Sequence, residues 1–79
     1  MNVRSTITSM FETVAREQQR HLAVLSDDLK LLESGLDSLS FALIAARLED
    51  TLGYDPFESA ESFPVTFGDF IRLYESSHP

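Results

Sequence analysis

The chain has 79 residues, no cysteine, 43% hydrophobic residues and a formal net charge of −7. This length fits one small domain, the hydrophobic fraction excludes a disordered chain, and the missing cysteines exclude a disulfide framework or a thiolate metal site. No apolar run approaches the ~18 residues of a membrane span, the start lacks the features of a signal peptide, and the acidity disfavours nucleic acid. We therefore expect a cytoplasmic monomer whose acidity serves either solubility or docking to basic partners.

The first predicted helix covers about residues 3–19. Its apolar side chains recur at the i, i+3, i+4, i+7 spacing of one helix face, and the rest of its surface is largely polar. Such a one-sided helix needs a partner surface to cover its apolar face. The residues of this face are Val3, Ile7, Met10, Phe11 and Val14.

A connector of about residues 20–37 follows, with turn signals at 26–28 and 34–35. It is long for a structureless loop, but leucines recur through it. We interpret it as a loop that its leucines hold onto the core, with one short helical turn after Ser26. These leucines are Leu22, Leu25, Leu29, Leu31, Leu32 and Leu36.

The second predicted helix runs from about Ser38 to Leu52, with Asp37 or Ser38 as the N-cap and Gly53 as the C-cap. Its apolar residues form two opposite stripes. The stripe with the larger side chains is assigned to the core: Phe41, Ile44, Ala45, Leu48 and Leu52. The other is assigned to an exposed partner face: Leu39, Ala42, Leu43 and Ala46.

The remaining elements are a short turn or helix within 57–61 and a last helix over 67–76, with Thr66 as its N-cap and Asp69 three residues on. No strand pattern appears. The prediction is an all-α fold: a small four-helix bundle of three principal helices and one short helix, with a long loop between helices one and two. The expected core comprises Ile7, Phe11, Val14, Leu32, Phe41, Ile44, Leu48, Leu52, Phe70, Ile71 and Tyr74.

Ser38 is the strongest candidate in the sequence for a residue with a chemical role. At the first turn of a helix, backbone N–H groups lack partners and the macrodipole is positive, so a phosphate ester there is stabilised. The structural alternative is that Asp37 and Ser38 only cap the helix. A hydrolytic role is disfavoured, because the only histidines are His21 and His78 and no oxyanion hole is suggested. No metal-binding spacing is present.

The sequence resembles the acyl and peptidyl carrier protein family over nearly the whole chain. Residues 32–40, Leu-Glu-Ser-Gly-Leu-Asp-Ser-Leu-Ser, are similar to the family's attachment motif. Residues 41–53 resemble its recognition helix, and residues 66–71 resemble the start of its last helix. The resemblance implies that residues 1–79 form a single carrier domain.

The resemblance also implies a mechanism. A phosphopantetheinyl transferase, using coenzyme A and magnesium, attaches a 4′-phosphopantetheine arm to Ser38, and Asp37 and Leu39 help enzymes to recognise the site. The arm's thiol carries an acyl or aminoacyl group as a thioester between an activating ligase and downstream acyl-transfer enzymes. The chain is then a carrier and not an enzyme. Partner contacts are expected from Leu39, Leu43, Ala46, Arg47 and Asp50.

One departure from the family pattern bears on the pathway. The partner face is more apolar than in typical fatty-acid carriers, and Arg47 adds a positive charge. We therefore expect a free-standing carrier of a specialised pathway rather than of housekeeping fatty-acid synthesis. The alternative, from another class, is an unmodified small helical adaptor that binds a partner helix.

Overall fold

The computed structural model describes residues 2–58, 60 and 62–77. Three α-helices form the bundle: α1 (Val3–Glu17), α2 (Ser38–Leu52) and α3 (Phe67–Ser76). Short 3-10 helices lie at Leu31–Glu33 and Pro56–Glu58. No strand occurs among the described residues, so the all-α prediction is confirmed.

The short elements differ in detail from the sequence-based expectation. The element expected within 57–61 is a single 3-10 turn that begins at Pro56; Ser59 and Glu61 lie outside the described residues. The connector contains a turn at 27–28 and then the 3-10 helix Leu31–Glu33. None of the helices in the described ranges is long and apolar enough to cross a membrane.

Helix α1 ends two residues earlier than expected. Gln19 adopts a left-handed backbone conformation with φ 56°. The Arg20 N–H donates to the Ala15 carbonyl at 2.8 Å and the Gln19 N–H donates to Arg16 at 3.1 Å, which is the Schellman pattern of a helix end. Glycine is the usual residue at this position, and its absence removed the signal that would have placed the boundary.

The other helix ends match their predicted caps. Asp37 and Thr66 each form a capping box at the start of α2 and α3, respectively. Gly53 ends α2 with φ 87°. The sequence left Asp37 and Ser38 open as the cap of α2, and the structure selects Asp37.

The core lies between the three helices and is centred on Phe11. The Phe11 ring is 5.1 Å from the rings of Phe67 and Phe70, both edge-on, and 6.2 Å from the ring of Phe41. Such pairs add to the free energy of apolar burial. The buried hydrophobic residues are Ile7, Phe11, Val14, Ala15, Leu31, Leu36, Phe41, Ile44, Leu48, Phe67, Phe70, Ile71 and Tyr74.

The core prediction is wrong for Leu32, whose side chain is 89% exposed, whereas Leu31 is only 1% exposed. The cause is the 3-10 helix, which turns Leu31 inward and leaves its neighbour on the solvent side. Leu52 is half-buried and packs against the core rather than inside it. Phe67 is a further core residue that the expected core did not include.

Backbone hydrogen bonds hold the connector onto the start of α3. The Leu31 N–H donates to Val65 at 2.9 Å, the Phe67 N–H to Leu29 at 2.8 Å and the Gly68 N–H to Asp27 at 2.9 Å. A Cβ at Gly68 would lie 2.7 Å from the Asp27 carbonyl oxygen, so the close approach requires glycine. The connector is therefore an ordered part of the fold and positions the residues that precede Ser38.

Candidate functional site

Ser38 is the first residue of α2, and its side chain is exposed. The preceding Asp37 performs the capping: the Ser40 N–H donates to Asp37 Oδ1 at 2.9 Å. Because Asp37 takes this role, the Ser38 hydroxyl is not used for capping and forms no hydrogen bond with the described part of the chain. The site therefore presents a free hydroxyl at the positive end of a helix.

A polar network fixes the start of α2 against the end of α1. The Ser40 hydroxyl is buried and shares its one hydrogen between two acceptors, the Gln18 side-chain oxygen and Asp37 Oδ1, the latter at 3.0 Å. The Arg20 guanidinium lies 2.6 Å from Asp37 Oδ2 and also donates to the Gly35 carbonyl at 3.4 Å. Three segments thus meet directly beside Ser38, which fixes the direction in which its side chain leaves the surface.

This network also sets the charge state of Asp37. Hydrogen bonds from the backbone N–H and the hydroxyl of Ser40, and then the charge of Arg20, hold the pKa of Asp37 below its usual value. Asp37 is therefore a carboxylate at neutral pH. Its ion pair with Arg20 offsets the negative charge that a phosphate on Ser38 would otherwise meet.

An apolar cleft of about 480 Å³ opens beside Ser38. It lies between the 3-10 helix of the connector and the segment that precedes α3. Its apolar lining consists of Leu31, Leu32, Phe41, Phe63, Pro64 and Val65. Its polar lining consists of Lys30, Glu33 and Ser38.

These surroundings fit a phosphodiester on Ser38. The hydroxyl is free and exposed, the helix N-terminus and Lys30 provide positive potential, and apolar surface lies next to the attachment point. The cleft, Lys30, Phe63 and Val65 were not found from the sequence. Phe63 and Val65 lie outside any helical periodicity, and only the tertiary fold brings Lys30 and Ser38 to the same cleft.

The predicted partner face stays a prediction, and the structure shows only how exposed each of its residues is. Leu39 is 77% exposed, and Ala46 and Asp50 are also exposed. Leu43 was expected on the same face but is half-buried and packs against the core, because its position on α2 turns it toward the bundle. Arg47 is half-buried as well and forms an ion pair with Glu17 of α1 at 2.8 Å.

In the described part of the chain, the other residues with chemically active side chains form no hydrogen bond with Ser38. The His21 side chain forms no hydrogen bond with the described residues, and His78 lies outside them. At the far end of α2, oxygens of Glu49, Asp55 and Glu58 lie within 4.8 Å of one another. Exposed acidic groups of this kind are common without an ion, and we assign no metal to them.

Comparison with known proteins finds matches over most of the chain. A family model described as "Phosphopantetheine attachment site" matches residues 5–59. The chain is also similar to the non-reducing polyketide synthase CTB1 of Cercospora nicotianae, with 37% identity over 64 residues. That alignment covers 81% of this chain but only 3% of the synthase. No solved structure matches the chain significantly.

Proposed function

Because the chain belongs to the phosphopantetheine attachment family, we propose that Ser38 is the residue to which its 4′-phosphopantetheine arm is attached. Members of this family hold the arm covalently and act as carriers, not as catalysts, together with transferases and acyl-handling enzymes. The observation that carries the assignment is the free, exposed Ser38 hydroxyl at the first residue of α2.

Two neighbouring residues assist Ser38 in this proposal. Asp37 holds the first turn of α2 in place through its hydrogen bond from Ser40, so the hydroxyl is presented from a fixed backbone. Leu39 projects from the same turn and is largely exposed, which makes it available to a phosphopantetheinyl transferase that uses coenzyme A and magnesium. The attached arm supplies a thiol that holds acyl or aminoacyl groups as thioesters.

The exposed side of α2 is the proposed contact surface for the loading ligase and the downstream acyl-transfer enzymes. Leu39 and Ala46 supply apolar area, at roughly 25 cal/mol per Å² buried. Asp50 contributes to orientation and to a salt-sensitive association rate more than to affinity. Leu43 and Arg47 have a smaller part than the sequence indicated, since each is half-buried and already packed or ion-paired within the bundle.

We propose that the protein serves a specialised pathway and that the group it carries is a polyketide-type acyl chain. The similarity to a polyketide synthase and the apolar partner face support it. The three helices enclose one core of their own, which supports a single carrier domain, and we further propose that this domain works as a discrete protein. Detection of the native protein only as part of a larger polypeptide would contradict the discrete form.

The deciding experiment is intact mass spectrometry after incubation with coenzyme A, magnesium and a transferase of broad specificity. The wild-type chain should gain the mass of one phosphopantetheine. Ser38→Ala should gain none, while Ser9→Ala, which alters an exposed serine of α1, should be modified like wild type. Modification of Ser38→Ala would refute the site, and an unmodified wild-type chain would favour the adaptor function instead. Circular dichroism of each variant verifies that it is folded.

A further inference from the structure

The cleft beside Ser38 exposes apolar side chains that the fold itself does not cover. Leu32 is almost fully exposed, Val65 is 63% exposed and Phe63 is 50% exposed. Phe63 is nevertheless held in place, because its ring stacks on Phe57 at 5.6 Å and lies 5.7 Å from the ring of Phe41. A preformed apolar surface of this kind is typical of a place where a ligand lies.

Lys30 is the only lysine of the chain and lines the same cleft. Among the described residues it forms no ion pair, and Arg16 on α1 is the other cation without one. The remaining cations each pair with a carboxylate: Arg4, Arg20, Arg47 and Arg72. The ammonium group of Lys30 is thus a positive charge still available to an anion at this site.

We propose that Lys30 binds the phosphodiester on Ser38 and that the arm then lies along the cleft, with its apolar part against Leu32, Phe63 and Val65. This inference depends on the proposed attachment at Ser38. The occupant is the chain's own arm, because Ser38 lines the cleft and a group attached to it therefore starts at the cleft. The volume of about 480 Å³ is in the range of small-molecule sites.

The attachment makes even weak contacts effective, since a tethered group is present at a high local concentration. The contacts remain weak enough for release, because an exposed ion pair contributes little. Glu33 also lines the cleft, and its carboxylate opposes the phosphate. Lys30 and Glu33 therefore act in opposite directions on the balance between an arm stowed in the cleft and one extended to a partner enzyme.

The absence of cysteine makes this balance measurable, because the arm carries the only thiol of the modified protein. We would measure the rate at which this thiol reacts with a neutral aromatic disulfide, after intact mass has shown one arm on each variant. Lys30→Gln should raise the rate about two- to fivefold, the effect of losing one exposed ion pair. Leu32→Ser should also raise it, and Glu33→Gln should lower it.

Arg16→Gln is the matched control, because it removes the other unpaired cation without touching the cleft, and its rate should equal that of wild type. Amide NMR shifts between the unmodified and modified chain should concentrate at Leu31, Leu32 and Val65. Equal thiol rates in all variants, or no shifts at these three residues, would overturn the stowed arm while leaving attachment at Ser38 intact. A missing mass gain would instead refute the attachment itself.

Discussion

Two adjacent leucines of the connector provide a sharp test of the fold. Leu31 is 1% exposed and Leu32 is 89% exposed. Leu31→Ala removes a fully buried side chain and leaves a cavity, which costs about 2–5 kcal/mol. A domain of this size has a total stability of roughly 4–12 kcal/mol, so this loss is a large fraction of it. Leu32→Ala removes almost no packing and should change stability by less than about 0.5 kcal/mol.

The measurement is urea and thermal unfolding followed by far-UV circular dichroism, because the chain has no tryptophan to serve as a fluorescence probe. Since about 1 kcal/mol shifts the melting temperature of a small domain by ~4–8 °C, Leu31→Ala should lower it by at least about 8 °C. Leu32→Ala should melt within a few degrees of wild type. Equal losses in the two variants would show that the 3-10 helix does not turn Leu31 inward, and the placement of the connector would be wrong.

Three further predictions follow from the site and the connector. Leu39→Glu should leave the melting temperature nearly unchanged and should weaken loading by the pathway's own enzyme. Leu43→Glu should instead lower the stability by about 1–3 kcal/mol, because it brings a charge against the core. Loading of Leu39→Glu at the wild-type rate would place the docking surface elsewhere. Gly68→Ala should cost at least about 1 kcal/mol in urea unfolding, since its Cβ would meet the Asp27 carbonyl, and wild-type stability would show that the connector can shift. The lowered pKa of Asp37, caused by hydrogen bonds from the capped backbone N–H and the adjacent serine hydroxyl, means that its contribution is present above the usual aspartate value of about 3.9 and is lost as the pH falls below it. The stability difference between wild type and Asp37→Asn should therefore shrink in acid, and a difference that does not depend on pH would contradict this cause.

The three helices and their caps could be predicted because local rules determine them. The bounds of α2 and α3 follow from period-3.6 patterns flanked by Asp37, Gly53 and Thr66, each of which carries its own signal. The end of α1 could not be placed, because Gln19 adopts a conformation for which its side chain gives no signal. The burial of Leu31 instead of Leu32 depends on backbone pairing between the connector and the start of α3, which is a tertiary contact.

The site also combines features that local sequence determines with features that depend on tertiary contacts. Ser38 could be proposed as the attachment residue from sequence, because its motif is contiguous. The cleft could not, because it combines residues of the connector with Phe63 and Val65, about 30 residues further along the chain. Leu43 was misplaced because helical spacing gives only the angle between the two apolar stripes of α2. It does not show how much of each stripe the neighbouring helices cover.

The left-handed turn at Gln19 affects how far a group attached to Ser38 can move. Gln18 and Arg20, on either side of it, both bond to the first turn of α2. Fluctuations that loosen the rest of the connector would therefore leave Ser38 anchored to the end of α1, and amide exchange at the start of α2 would follow the opening of the whole bundle rather than of a loop. A group attached to Ser38 therefore moves about an attachment point that is fixed relative to the bundle. Once the arm leaves the cleft, the region that its far end can reach is set by the torsions of the tether, because its attachment point does not move.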